Sequence, residues 1–152
     1  MPGIRRYAYL HFVWATHGRL PLIAPEIERD LHRFIRRVCM TDGCEVLAVN
    51  GMPDHVHLMV NLSNMVTMAD LMQHVNGGSS RFVSGSLQPG QTFIWRPGYS
   101  VDAVSRSDRA TVVSYIDNQK QRHATGNIWP GAEPSDDEYA FGDDVSARGD
   151  DQ

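Results

Sequence analysis

The stretch Pro53-Asp-His-Val-His-Leu-Met-Val60 (PDHVHLMV, 53–60) sets two imidazoles in an otherwise apolar run. Side chains alternate across a strand, so His55, His57, Met59 and Asn61 share one face while Val56, Leu58, Val60 and Leu62 share the other. The aliphatic set is the core face. The two histidines then point together to the opposite side of the sheet, with a spacing that suits two neighbouring ligands on one metal ion. An isolated His-x-His is more often a pair of hydrogen-bonded or surface histidines, so the motif gains weight only from its surroundings.

Working outward, CEVLAVN (44–50) is short and β-rich, and GMPD joins it to the histidine strand as a hairpin. Upstream, YAYLHFVWAT (7–16) reads as a strand ended by HGRLP. A helix follows from Pro25, with Glu26 and Glu28 in its first turn and Ile27, Leu31, Phe34, Ile35 and Val38 at helical spacing, stopping at Asp42-Gly43. Downstream, a second helix opens near Thr67 with Met68, Leu71, Met72 and Val75 as its apolar stripe. Gly77-Gly78 is expected to loosen or break it. TFIWRPGYSVDAVS (92–105) reads as a strand interrupted at Pro97-Gly98, and a last helix, capped by Ser107 or Asp108, runs to about His123. The order strand, helix, strand, strand, helix, strand, helix predicts an α+β fold: a ferredoxin-like antiparallel sheet with helices packed on one face.

The chain of 152 residues, 41% hydrophobic and 21% charged, has an ordinary globular composition. No apolar run approaches the roughly 18 residues of a spanning helix, and the first twenty residues lack a signal peptide's pattern, which places the protein in the cytoplasm and away from membranes. Cys39 and Cys44 are read as two buried thiols. The net charge of −4 divides unevenly: residues 131–152 carry −7 and the rest +3, with 12 Arg and one Lys in that body. Residues 1–130 are therefore read as one domain, and 131–152 as an acidic tail expected to be disordered.

In the last helix Tyr115 and Gln119 are four apart and share a helical face, with Arg122 close by. Together these segments resemble the single-tyrosine HUH transposases, which include small insertion-sequence transposases and the transposases associated with repetitive extragenic palindromes (REP). The resemblance rests on FVWATHGRLPL, PDHVHLMV, IWRPGYSVDAVS and YIDNQ followed by RH, in that order, over roughly residues 7–125. It implies that His55, His57 and Gln119 hold a divalent metal ion, Mg²⁺ or Mn²⁺, and that Tyr115 is the nucleophile. The implied activity is cutting and rejoining single-stranded DNA beside a hairpin, through a 5′-phosphotyrosine and a free 3′-OH. It also implies a homodimer in which the tyrosine helix of one subunit is able to complete the metal site of the other.

Candidates for DNA contact are Arg5, Arg6, His17 and Arg19 near the first strand and Arg81 in the second helix. Trp14, Trp95 and Tyr99 are able to stack on bases, although core packing is the commoner use of an aromatic in a β-rich run. Three other readings compete: a domesticated hairpin-binding descendant that no longer transposes, a histidine-triad nucleotide hydrolase, and a generic metal-dependent hydrolase. The histidine triad needs a third His two residues on, where this chain has Met59.

Overall fold

The computed structural model describes residues 3–135. Four strands, β1 (Tyr9–Ala15), β2 (Glu45–Met52), β3 (His55–Asn61) and β4 (Ser100–Val104), form one antiparallel sheet in the order β2-β3-β1-β4. This is the expected ferredoxin-like arrangement. Helices α1 (Pro25–Thr41) and α2 (Met68–Phe82) pack on one face. There Phe12 and Trp14 of β1 and Val56, Leu58 and Val60 of β3 meet Ile27, Leu31 and Ile35 of α1 and Leu71, Met72 and Val75 of α2. Each of these side chains is almost fully buried, which is worth about 1.5–3 kcal/mol per large aliphatic group.

The other face is not left to solvent. Helices α3 (Arg109–Asp117) and α4 (Gln119–Thr125) lie on that side, and Tyr9, Ala48, Met59, Tyr115 and Ile116 build a second, smaller core with Trp129. The sheet is therefore covered on both sides, α1 and α2 on one and the tyrosine-bearing helices on the other. Every residue of β3 is buried as a result, the two histidines included.

Two helix expectations are corrected. Gly77-Gly78 does not break α2, which runs on to Phe82 and then into a π-helical turn, Val83–Leu87. A Cβ at Gly78 would stand 3.2 Å from the Phe34 ring, so the glycine serves a close crossing of α1 and α2. The last helix is two helices, separated at Asn118, whose φ of −101° and ψ of 22° leave the helical range. The Asn118 amide donates to the Ser114 carbonyl at 2.8 Å, and Asn50 Nδ2 donates to the Asp117 carbonyl at 3.1 Å, pinning the break to β2. Lys120 adds a contact to Glu28 of α1 and to the Gly51 carbonyl. Asp108 stands at the N-cap of α3 as expected, but its carboxylate accepts from Ser105 Oγ at 3.0 Å instead of capping.

Cys39 and Cys44 are buried free thiols, and burial, followed by the neighbouring Cys44, pushes the Cys39 thiol up to about 12. Trp14 and Trp95 are core residues in edge contact, centroids 5.8 Å apart, and Tyr99 packs its edge against Phe12.

The β2–β3 hairpin sets the position of His55. A Cβ built on Gly51 would fall 2.1 Å from the His55 carbonyl oxygen, a backbone atom that cannot yield without moving the strand. Gly51→Ala is accordingly expected to lower unfolding stability in urea by about 3 kcal/mol. A midpoint unchanged from the native chain would show that the hairpin tolerates displacement there.

Candidate active site

The register of β1 against β3 brings four groups together on the second face. Val13 pairs with His57 and His11 with Met59, so His11 and His57 lie diagonally on one surface. Their ring nitrogens, His11 Nε2 and His57 Nδ1, are 3.0 Å apart. Burial, and then His57, lowers the His11 pKa to about 4, so His11 stays neutral and is able to accept the His57 Nδ1–H. With the proton on His57 Nδ1, its Nε2 presents a lone pair to the site, the tautomer that metal coordination requires.

His55 is prepared in the same way by a different partner. Its Nδ1 donates to Asp54 Oδ1 at 2.7 Å, leaving Nε2 inward. Asp54 is held in turn by Arg19, whose Nε and Nη2 both lie 3.1 Å from Oδ2. Burial works to raise the Asp54 pKa, but the hydrogen bond from His55 and the Arg19 charge outweigh it and the carboxyl is lowered. Arg19 has a left-handed φ of 52°, a conformation costing about 1 kcal/mol or more for a residue with a side chain. A carboxylate that fixes the outer nitrogen of a ligand histidine is a recurring metal-site device.

Glu133 completes the cluster. Its Oε2 lies 3.0 Å from His55 Nε2 and 3.4 Å from His57 Nε2, and its Oε1 accepts the Tyr115 hydroxyl. Gln119 Oε1 is 3.4 Å from His55 Nε2 and 3.1 Å from His123 Nε2. Ligand bonds of about 2.1 Å meeting at 90° to 110° put neighbouring donor atoms about 3.0 to 3.4 Å apart, so this spacing is that of a coordination sphere. His57 Nε2 and Glu133 Oε2 are moreover buried without a hydrogen bond of good geometry. The group His55, His57 and Glu133 is thus able to hold a metal ion, its nearest nitrogen and oxygen atoms all within 4.8 Å of one another. With no thiolate in the set, a hard or borderline divalent cation fits better than a soft one.

Tyr115 lies on its own chain's histidines. Its ring meets His57 edge-on at 5.8 Å, stacks on Trp129 at 4.0 Å, and lies under the Arg122 guanidinium at 4.8 Å. The Trp129 backbone N–H donates to the phenol oxygen at 3.1 Å. Burial, and then the hydrogen bond to Glu133, raises the Tyr115 pKa, so the phenol rests protonated. Burial raises the Glu133 carboxyl, but the imidazoles of His55 and His57 beside it and the Tyr115 hydroxyl overcome that and hold it far below the usual carboxylate range. Burial lowers His57, whereas for His55 the hydrogen bond to Asp54 and the neighbouring Glu133 carboxylate outweigh burial and raise it.

The four residues expected to carry chemistry, His55, His57, Tyr115 and Gln119, therefore converge. Sequence reasoning missed Glu133, Asp54, His11 and Trp129. Asp54 adjoins the motif and was open to view; Glu133 was hidden in a run of acidic residues. The expected tail begins at 131, yet residues 131–135 lie among the described ones and carry Glu133 into the site; the remainder of that tail lies outside the described residues. The candidate DNA contacts are scattered. His17 is exposed and Arg19 is turned to Asp54, both near the His55 end of the sheet. Arg5 is exposed and Arg6 donates to the Leu62 carbonyl, and both lie at the opposite end of β3, about 20 Å away by strand rise. Arg81 is exposed on α2, on the sheet's other side.

Residues 5–119 match the sequence profile of the family described as "Transposase IS200 like", the Y1 transposases. The chain belongs to this family. It is a single-tyrosine transposase/endonuclease, an enzyme of DNA recombination. It is 28% identical over 126 residues to the ISDra2 transposase TnpA of Deinococcus radiodurans, covering 78% of this chain and 90% of that one. Against the transposase for insertion sequence element IS200 of Salmonella typhimurium it is 23% identical, covering 76% of this chain and 79% of that one. A crystal structure of a Deinococcus radiodurans transposase superposes with a TM-score of 0.60 at 28% identity, over 78% of this chain and 95% of that one. The REP-associated tyrosine transposase bound to a REP hairpin shares the fold, with a TM-score of 0.61 at 18% identity, over 86% of this chain and 81% of that one. A histidine-triad hydrolase is thereby set aside, in keeping with Met59 being packed in the second core. Among the described residues no helix is long and apolar enough to cross a membrane.

If Asp54 fixes His55 for a metal ion, Asp54→Asn is expected to weaken Mn²⁺ binding by about 10–100-fold with the circular dichroism spectrum retained. Titration of the free-ion EPR signal measures this; an unchanged affinity would remove Asp54 from the site's support.

Proposed function

We propose that this Y1 transposase cuts and rejoins single-stranded DNA next to a hairpin, with Tyr115 as nucleophile and a divalent ion, Mg²⁺ or Mn²⁺, held by His55, His57 and Gln119. Glu133 joins that set as a further oxygen ligand or yields its place to a phosphate oxygen of the DNA. The observation that carries the reading is the convergence of the Tyr115 phenol and both imidazoles on one buried carboxylate, Glu133. Those are the groups that a phosphotyrosyl transfer needs within reach of one phosphate.

The phenol oxygen attacks phosphorus, the bond from phosphorus to the 3′-oxygen breaks, and the products are a 5′-phosphate ester of Tyr115 and a free 3′-OH. The bond energy is kept in the ester, so the reverse attack by a 3′-OH rejoins the strand. At rest the phenol is protonated, and the Trp129 N–H and Glu133 Oε1 fix the direction of its hydroxyl. Glu133 is too weak a base to remove that proton at rest, so the proton leaves during attack, its final acceptor being the 3′-oxygen. The bound ion, when present, polarises the phosphate oxygens and offsets the charge of the transition state. The Trp129 stack and the Arg122 guanidinium hold the ring so that little rotational freedom is lost on attack.

Two DNA ends require two tyrosines, and one chain supplies one, so the working unit is a homodimer. The neighbour captured on a REP hairpin supports a hairpin as the recognition element, and we place the activity in the cytoplasm, with the DNA.

The decisive assay is a denaturing gel of the protein mixed with labelled, hairpin-bearing single-stranded DNA and Mn²⁺. A covalent adduct is expected for the native chain, and its loss, by about 10³-fold or more, for Tyr115→Phe. An adduct that survives in the Phe variant would assign the nucleophile elsewhere. Hairpin binding by the native chain with no adduct under any metal would identify a descendant that grips DNA without cutting it.

A further inference from the structure

Next to the catalytic cluster lies a cavity of about 210 Å³, between the end of β1, residues 96–100 and residues 131–135. Trp14, Arg96, Tyr99, Glu133 and Ser135 are among its walls, and its volume is the share of about seven waters. Arg96 is only 7% exposed. Its Nη1 donates to the Ser135 carbonyl at 2.8 Å, while Nε is buried with no partner and no carboxylate of the described residues pairs with the guanidinium. The indole Nε1 of Trp14 is a second buried donor without an acceptor. Glu133, the carboxylate that shares the cavity, is turned to the histidines and to Tyr115.

A buried cation with no carboxylate partner among the described residues is expensive, and the side chains that carry the two unpaired donors, Arg96 and Trp14, line the cavity, so the cavity calls for acceptor oxygens. With Nη1 occupied, the Nε–Nη2 edge of the fork is the one left for a two-point contact, the geometry in which arginine grips a phosphate. The backbone holds the fork in place: the Arg96 N–H donates to the Ala15 carbonyl at 2.8 Å, and Pro97 and Gly98, the latter at a φ of 87°, turn the chain immediately after it.

We propose that Arg96 binds a backbone phosphate of the DNA strand adjacent to the one attacked by Tyr115, within the cavity it shares with Glu133. This subsite rests on the single-stranded substrate read above. It fixes the strand on the near side of the catalytic cluster, where Arg5, Arg6 and Arg81 do not reach. Its ligand is the charge of one phosphodiester, independent of base identity.

The test uses the full chain and a set of otherwise identical single strands, each with one neutral methylphosphonate at a successive position around the nicking point, bound in fluorescence anisotropy titrations. One position is expected to weaken the native chain about tenfold and Arg96→Ala not at all. The logarithmic salt dependence of Arg96→Ala should be shallower by about 0.7, one single-strand phosphate. Equal penalties at every position in both chains would overturn the subsite. If Arg96→Ala does not fold, Arg96→Lys carries the comparison: a penalty at that position cut at least threefold supports a two-point contact, and an undiminished one overturns it. Failure of the native chain to bind any of the strands would overturn the single-stranded substrate itself, whereas binding with a position-blind penalty would overturn only the assignment of Arg96.

Discussion

The pairing of β3 between β1 and β2 is the constraint on which the site depends. Because side chains alternate, Val56, Leu58 and Val60 enter the main core while His55 and His57 face the opposite side. A slip of one residue would drive two imidazoles into the aliphatic core and set three branched side chains among the polar groups of the second face, a loss far beyond a domain's margin of stability. Burial of the aliphatic face therefore fixes where the histidines point, and Gly51 and the Pro53-Asp54 turn fix how far along the sheet they stand. Fold stability and the aim of the two histidines come from one register.

The second face pays for its polar contents by pairing them. Each imidazole is held on its outer nitrogen, His57 by His11 and His55 by Asp54, and faces Glu133 with the inner one. The buried carboxylate of Glu133 faces the histidines with one oxygen and the phenol with the other. In a dry site such interactions are stronger than at a surface, and leaving one unmatched is costlier. His55, His57 and Glu133 would hold a divalent cation there, whose charge would offset that of the buried carboxylate. The break at Asn118 matters for the same reason, since it lets Tyr115 lie in the last turn of one helix and Gln119 begin the next while both stay buried.

The sheet and its helices were legible because each left a periodic trace, such as the alternation in β3 and the Ile27-Leu31-Ile35 stripe, whereas the four central residues were singled out by the family resemblance, with the His-x-His alternation and the four-residue step from Tyr115 to Gln119 as their only local trace. What was illegible lacked such a trace. Gly77-Gly78 reads as a helix breaker until Phe34 is known to lie against it, which is a tertiary fact. His11 acquires its role only from the β1–β3 register, and Arg19 only from its reach to Asp54, so neither local pattern nor charge announces them. Glu133 is one carboxylate among eight in the last 22 residues, and composition assigned the whole segment to a tail. Its placement beside His55 and Tyr115 is what identifies it. Arg96 was overlooked for a related reason: inside a turn-rich WRPG sequence an arginine looks like surface, and only its burial without a counter-charge among the described residues sets it apart.

The central claim is that His55, His57 and the residues facing Tyr115 form one metal centre on the second face of the sheet. A crystal soaked in Mn²⁺ and measured at the manganese absorption edge tests it most directly. The account predicts a single strong anomalous peak within about 2.5 Å of both His55 Nε2 and His57 Nε2, on the side of Glu133 and Gln119. A peak elsewhere with these nitrogens unoccupied, at Mn²⁺ concentrations that support strand cleavage, would contradict it.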